Sequence, residues 1–237
     1  MITELNVLNK QLFGHNNPAQ RALNFLSLYW KKHHRSIALD AGTTNEAVSG
    51  VLSKLRAGDQ TGSLGGLSVF TNSPSVVDQF RDYVRTTARD PHRLPACRIE
   101  VIPIGGRLRS DTDAVTGELS KRCLESWQIN LDVAVIGTTH FDFQEMRLGC
   151  DSEDEALTKS ILLSRSSLRC IVADSTKFQI SPQTVRSSFP FAAVTENNID
   201  LVLTDDKVET AIVEECGKRG VAVLKSPPLT EMQTQPT

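Results

Sequence analysis

The chain carries no excess of positive charge: its 237 residues sum to a net charge of −2. Proteins that grip duplex DNA draw most of their affinity from Lys and Arg set against phosphates. This balance therefore weighs against tight DNA binding by the chain itself. The one dense basic cluster, Lys31 to Arg35, follows a helical segment and reads as cations favoured at a helix C-terminus. Cysteine is sparse and unpatterned. The five thiols, Cys97, Cys123, Cys150, Cys170 and Cys216, are odd in number and form no CxxC pair. That pattern argues against a zinc site and a disulfide framework, and it suits reduced thiols in a cytoplasmic protein. No apolar run approaches a membrane span, and nothing after Met1 reads as a signal peptide. The five histidines lack HxxxH or HExxH spacing, so no metal site is indicated. Neither a GxSxG elbow nor a P-loop motif is present, and no cofactor is expected.

What is there is a rhythm. Apolar residues make up 39% and charged residues 23%, the balance of a globular protein with a real core. Short apolar runs stand at Ser36–Leu39, Leu67–Phe70, Arg98–Ile104, Leu131–Ile136, Arg169–Ala173, Leu201–Leu203 and Val221–Leu224. Most are too uniformly apolar for half-exposed strands and read as buried strands of a mainly parallel sheet. Helical stretches near 44–56, 74–86, 113–126, 153–166 and 207–218 fall between them. This alternation predicts a single α/β domain with a doubly wound, Rossmann-like sheet. Ahead of it, Leu23, Leu26 and Trp30 recur at three- and four-residue steps within 18–32, the pattern of an amphipathic helix. The expected boundaries are a helical segment over 1–35, the main domain over 36–226 and a flexible tail over 227–237. Residues 57–66 and 87–97 read as irregular loops.

In an open parallel sheet, ligands bind beyond the carboxyl ends of the strands. The first run ends in Asp40-Ala41-Gly42-Thr43-Thr44, where a helix opens straight after a strand. Its free N–H groups suit a phosphate. The second run ends in Thr71-Asn72-Ser73, the third in Gly105-Gly106-Arg107, the fourth in Gly137-Thr138-Thr139 and the fifth in Asp174-Ser175-Thr176-Lys177. Taken singly, each is as well explained as a helix cap or a turn. Their coincidence on one edge points to a shared site for an anionic ligand. Glu155 and Lys159 form an i, i+4 pair that, on residue physics alone, reads as a solvated salt bridge. Cys150 has no base beside it in sequence and reads as an inert buried thiol.

The ordered set matches a known pattern. Asp40 to Thr44, Thr71-Asn72-Ser73, Ile104-Gly105-Gly106 with Leu108-Arg109, Gly117, Gly137, Gly149, Glu155-Ala156 with Lys159, Ala173 to Phe178, and Leu203-Thr204-Asp205 resemble the effector domain of DeoR-family transcriptional regulators. The resemblance covers about residues 20–225. It implies a fold related to ribose-5-phosphate isomerase and CoA transferases, and a sensor that binds a phosphorylated sugar or polyol without catalysis. It implies that Gly42, Thr43, Thr44 and Lys177 line the pocket, and that Glu155 contacts sugar hydroxyls or holds Lys159. Residue chemistry and resemblance together give an expected ligand-binding set of Gly42, Thr43, Thr44, Asn72, Ser73, Gly105, Gly106, Arg107, Gly137, Glu155, Lys159 and Lys177.

Members of that family normally begin with a winged helix-turn-helix. About 35 residues precede the first strand here, with one clear helix. The expectation is a homo-oligomeric sensor that reaches DNA only through a separate or missing head. The alternative is a sugar-phosphate isomerase of the same fold, with Glu155 as base. Against it, the Asp-Gly-x-Asp-Glu cluster of ribose-phosphate isomerases is absent. Thr139-His140-Phe141 is only a faint echo of the Asp-Gly-His motif of the deaminating relatives.

Overall fold

The computed structural model describes residues 36–58, 66–88, 99–109, 111–127, 130–143, 145–178, 191–192 and 199–225. The helix expected over 18–32, most of both loops and the tail lie outside the described residues. In chain order the elements are β1 (Ser36–Leu39), α1 (Thr43–Gly58), β2 (Leu67–Thr71), α2 (Pro74–Ala88), β3 (Ile99–Pro103), β4 (Arg107–Leu108), β5 (Val115–Thr116), α3 (Glu118–Ser126) and β6 (Leu131–Gly137). They continue with β7 (His140–Asp142), β8 (Arg147–Cys150), α4 (Glu153–Ser164), β9 (Ser166–Val172), a 3₁₀ turn (Ser175–Lys177), β10 (Phe191–Ala192), β11 (Leu201–Thr204), α5 (Thr210–Lys218) and β12 (Ala222–Lys225).

Seven strands form one sheet in the order β12-β11-β9-β6-β1-β2-β3, and every pairing in it is parallel. The sheet begins at an interior strand, β1, and builds outward through β2 to β3. The chain then crosses back to lay β6 against the free side of β1. At that seam the Ser36 N–H and hydroxyl both donate to Asp132, at 2.9 and 2.8 Å, across 96 residues of sequence. The seam between β1 and β6 is the point where strand order reverses, and a crevice opens there above the carboxyl ends.

Period-two burial makes the two cores. Ile37, Leu39, Val133 and Val135 face α1 and α2, where they meet Val48, Leu52, Val76 and Phe80. Ala38, Ala134 and Ile136 face the other way, towards Leu124 of α3, Leu162 and Leu163 of α4 and Ile212 of α5. Both faces of the central strands are thus dry, which is why those runs lack the apolar–polar alternation of a one-sided sheet.

The differences from the sequence reading are local. The helix expected over 113–126 begins only at Glu118, because β-branched Val115 and Thr116 pair with β4 and Gly117 turns the chain at φ 101°. The fifth strand starts at Ser166, three residues early, because α4 stops at Ser164. The loops expected at 57 and 87 begin later, since α1 runs to Gly58 and α2 to Ala88. A small antiparallel sheet, β10-β8-β7, was not anticipated. Its strands are too short to show a period, and its β7–β8 turn places Met146 at φ 53°. Phe141 of β7 is fully buried and meets Phe178 edge-on at 5.5 Å, which pins the end of the 3₁₀ turn that carries Lys177. Phe141→Ala therefore opens a cavity and lowers stability by about 3–5 kcal/mol in urea unfolding. A loss below about 1 kcal/mol would show that this contact is dispensable.

Candidate functional site

The crevice at the β1–β6 seam begins with one tight turn. Asp40 continues β1, its N–H donating to the Val135 carbonyl at 3.1 Å. The Ala41 N–H donates to Asn72 Oδ1 at 2.9 Å, so the side chain at the end of β2 holds the turn in place. Gly42 follows at φ +118°, a conformation costly for any side chain. Its carbonyl accepts from the Glu46 N–H at 3.0 Å, which starts α1. Thr43 and Thr44 are exposed on the helix's first turn, where N–H groups have no partner within the helix. The opposite rim is the loop between β4 and β5. It is tied down by the Val115 N–H donating to the Asn72 carbonyl at 2.8 Å and the Ser75 N–H donating to Asp113 at 2.8 Å.

Between them lies a cleft of about 460 Å³. Its inner wall is a buried ion network. Lys159, 3% exposed, donates to Asp40, 1% exposed, and to the Gly137 carbonyl at 3.0 Å. Its ammonium also lies 3.2 Å from Glu155 Oε1. Glu155 Oε2 in turn accepts from Arg109 at 3.2 Å, and Arg109 pairs with Asp111 on the rim at 2.6 Å. Burial opposes the charge on Lys159, but Asp40 and Glu155 outweigh it and hold the ammonium protonated well above its usual range. Burial likewise raises the Asp40 carboxyl, with Lys159 pulling the other way. Nearby Cys150 is pushed up to about 12 by burial, so its thiol stays protonated and unreactive.

This corrects the reading of Glu155 and Lys159 as a solvated pair. Lys159 sits on the inward stripe of α4 with Ala156, Leu162 and Leu163, all buried. The three-residue step from Ala156 to Lys159 was the available signal.

Of the expected ligand-binding residues, Gly42, Thr43, Thr44, Gly137, Glu155, Lys159 and Lys177 line this one cleft. The others stand outside its lining. Asn72 is buried behind it as a brace. Ser73 caps α2, its hydroxyl accepting from the Val76 N–H at 3.3 Å. Gly106 is needed for packing: a Cβ there would fall 2.0 Å from Ser120 Oγ and 2.9 Å from the Thr116 carbonyl. Gly105 is exposed beside Cys123. Arg107 is 80% exposed and lies 3.9 Å from Asp154. Asn45, Asp111 and Thr112 also line the cleft and were not anticipated, and so does Asp174, which stands at a strand end singled out above but was not in the expected set. A larger hollow of about 750 Å³ opens beside Leu67, Ile99 and Val77. It lies at the amino ends of β2 and β3, away from the edge where parallel sheets hold ligands. Among the described residues no group of three or more His, Cys, Asp or Glu is placed to hold a metal ion. None of their helices is long and apolar enough to cross a membrane.

Two outcomes follow for the buried network. Lys159→Met leaves Asp40 buried and uncompensated and lowers stability by about 3–5 kcal/mol, whereas Asp40→Asn combined with Lys159→Met recovers most of that loss. Urea unfolding of the single and double variants checks this; a double variant as weak as the single one would contradict it. The second outcome is a pH trend. The Asp40 carboxyl is raised above 3.8 in the fold. Its contribution is then fully present below that value and is lost as pH rises through the folded value. Relative to Asp40→Asn, the wild-type chain therefore loses unfolding free energy as pH climbs above 3.8. A difference that is flat with pH would refute the raised carboxyl.

Comparison with known proteins places these features in a lineage. The family model described as the DeoR C terminal sensor domain matches residues 20–206. No curated protein matches the chain. Among solved structures, ribose 5-phosphate isomerase A from Methanocaldococcus jannaschii is similar at 12% identity and a TM-score of 0.43, covering 68% of this chain and 52% of that one. Ribose 5-phosphate isomerase from Plasmodium falciparum is similar at 15% identity and a TM-score of 0.42, with the same coverage. The chain thus spans about half the length of these isomerases, and likenesses this distant say nothing of activity or ligand. The family match spans most of the parallel sheet and its crevice, and the chain belongs to the DeoR C-terminal sensor domain family.

Proposed function

We propose that the cleft binds a phosphorylated sugar or polyol, and that the chain is the effector-sensing part of a DeoR-type transcriptional regulator. In this reading occupancy is passed on through contacts between copies of the chain, and DNA is engaged by a separate head. The observation that carries it is the convergence of a helix N-terminus, a lysine and hydroxyl-accepting carboxylates at the strand-order switch. Thr43 and Thr44 offer backbone and hydroxyl donors, and half-buried Lys177 offers a cation, all on one cleft.

Charge sharpens the assignment. The lining holds Glu46, Asp111, Asp113, Asp151, Glu155 and Asp174 against only Lys159 and Lys177. A bare polyanion gains nothing from such a wall. A ligand with one phosphate and several hydroxyls does, because carboxylates are strong acceptors for hydroxyl donors. The network also favours binding over proton transfer. Glu155 is engaged on both oxygens, by Lys159 and Arg109, an arrangement that orients hydroxyls and restrains a carboxylate from acting as a mobile base.

Thermal unfolding with ribose 5-phosphate, fructose 6-phosphate, glucitol 6-phosphate and glycerol 3-phosphate tests this. A true effector at about 100 times its Kd stabilises the chain by about 2.7 kcal/mol, and the unphosphorylated sugar does not. Lys177→Ala weakens that binding by about 1.5–3 kcal/mol. Thr43→Ala, which removes one neutral donor, weakens it by about 0.5–1.5 kcal/mol. Equal protection by phosphorylated and unphosphorylated sugars, or unchanged affinity in both variants, would remove the phosphate from the cleft. Turnover of any of these probes would shift the assignment to an isomerase.

A further inference from the structure

The turn that opens the cleft holds buried polar atoms that no described residue satisfies. Among the described residues, Asn45 Nδ2, Asn45 Oδ1 and Asp40 Oδ1 are buried without a hydrogen-bond partner. Asn45 is 0% exposed and lines the cleft. It lies on the first turn of α1, directly after Thr43 and Thr44. Gly137, which also lines the cleft, stands beside it: an added Cβ there would come within 3.5 Å of Asn45 Nδ2. Burying an amide with both its donor and its acceptor unmet costs the folded chain the full desolvation of each. An apolar side chain at this position would avoid that cost, and its neighbours one turn on, Val48 and Ser49, are buried as well. The amide therefore does not serve the packing of α1.

We propose that Asn45 reads the sugar part of the ligand, a role that rests on the sensor function proposed above. Its amide N–H₂ donates to a ligand oxygen while Oδ1 accepts from a ligand O–H. A hydroxyl is the one common sugar group that offers both, so Asn45 selects a hydroxyl-bearing carbon next to the phosphate. In the free chain the amide lies beside Gly137 on the cleft wall, and rotation about its own side-chain bonds brings it to a ligand without moving α1. Lys159 donates to the Gly137 carbonyl at 3.0 Å, so the amide and the buried ion network flank the same backbone unit and can grip adjacent hydroxyls.

The test pairs stability with affinity in Asn45→Ala and Asn45→Leu. The probes are inorganic phosphate and whichever of the four phosphorylated probes above protects the wild-type chain. A reading residue leaves the ligand-free Tm unchanged or raised, because an unmet amide is gone. It weakens the sugar phosphate by about tenfold or more while inorganic phosphate is held as before. A lowered Tm with unchanged sugar-phosphate affinity makes Asn45 structural and overturns the proposal. Equal loss for both probes makes it a prop of the phosphate turn and overturns it too. If both variants fail to fold, the Asn45 side-chain amide signal in the labelled wild-type chain decides. It shifts with the sugar phosphate and not with inorganic phosphate, or the proposal falls. Protection of the wild-type chain by none of the probes removes the sensor reading and this one together. Protection that survives in the variants removes this one alone.

Discussion

A buried ammonium is the constraint around which the crevice is arranged. Lys159 lies out of reach of water, so negative charge and acceptors must come to it from the surrounding chain. They come from three elements at once: Asp40 beyond β1, the Gly137 carbonyl at the end of β6, and Glu155 one turn back on α4. β1 and β6 are the two strands between which the strand order reverses. One cation therefore locks the reversal point to the helix above it. Glu155 passes the constraint on to Arg109, and Arg109 to Asp111 on the rim. Floor, wall and rim are links of one chain of charges.

The sheet was largely legible because its physics is simple. A strand covered on both faces has to be apolar at every position, so Ile37 to Leu39 and Val133 to Ile136 announce themselves. Two-residue strands carry no period, which hid β4 altogether and left β5 inside an expected helix. Burial of Lys159 was hidden for another reason: an i, i+4 Glu–Lys pair has the same sequence on a wet face as on a dry one, and only the neighbouring Ala156 and Leu163 tell them apart.

The cleft itself was legible in part, and the boundary has a cause. Reading polar residues at strand ends finds the correct edge of the sheet but treats all strands alike. The crevice forms only at the seam of β1 and β6, so Gly42, Thr43, Thr44 and Gly137 line it while Asn72, Ser73 and Gly105, one and two strands away, brace or flank it. Gly106 exemplifies a glycine whose role is invisible without coordinates, since the crowding by Ser120 and Thr116 arises from a hairpin the sequence did not reveal. Asn45 is the complementary case. Its position inside a helical pattern suggests nothing, and the lack of a partner for its amide among the described residues shows only once the fold is in view.

The central position of β1 also fixes an order of events during synthesis. β1 leaves the ribosome before β6, and the strand that covers its inner edge is joined to it through Ser36 and Asp132, 96 residues apart. At the usual speed of translation that edge stays open for about 5–20 s. An apolar strand with unpaired backbone groups is adhesive for as long as it waits. The ammonium that neutralises Asp40 arrives later still, with α4. A message that stops short of α4 therefore specifies no partial sensor, only half a sheet with a bare edge and a stranded carboxylate, a natural object for chaperones and proteases.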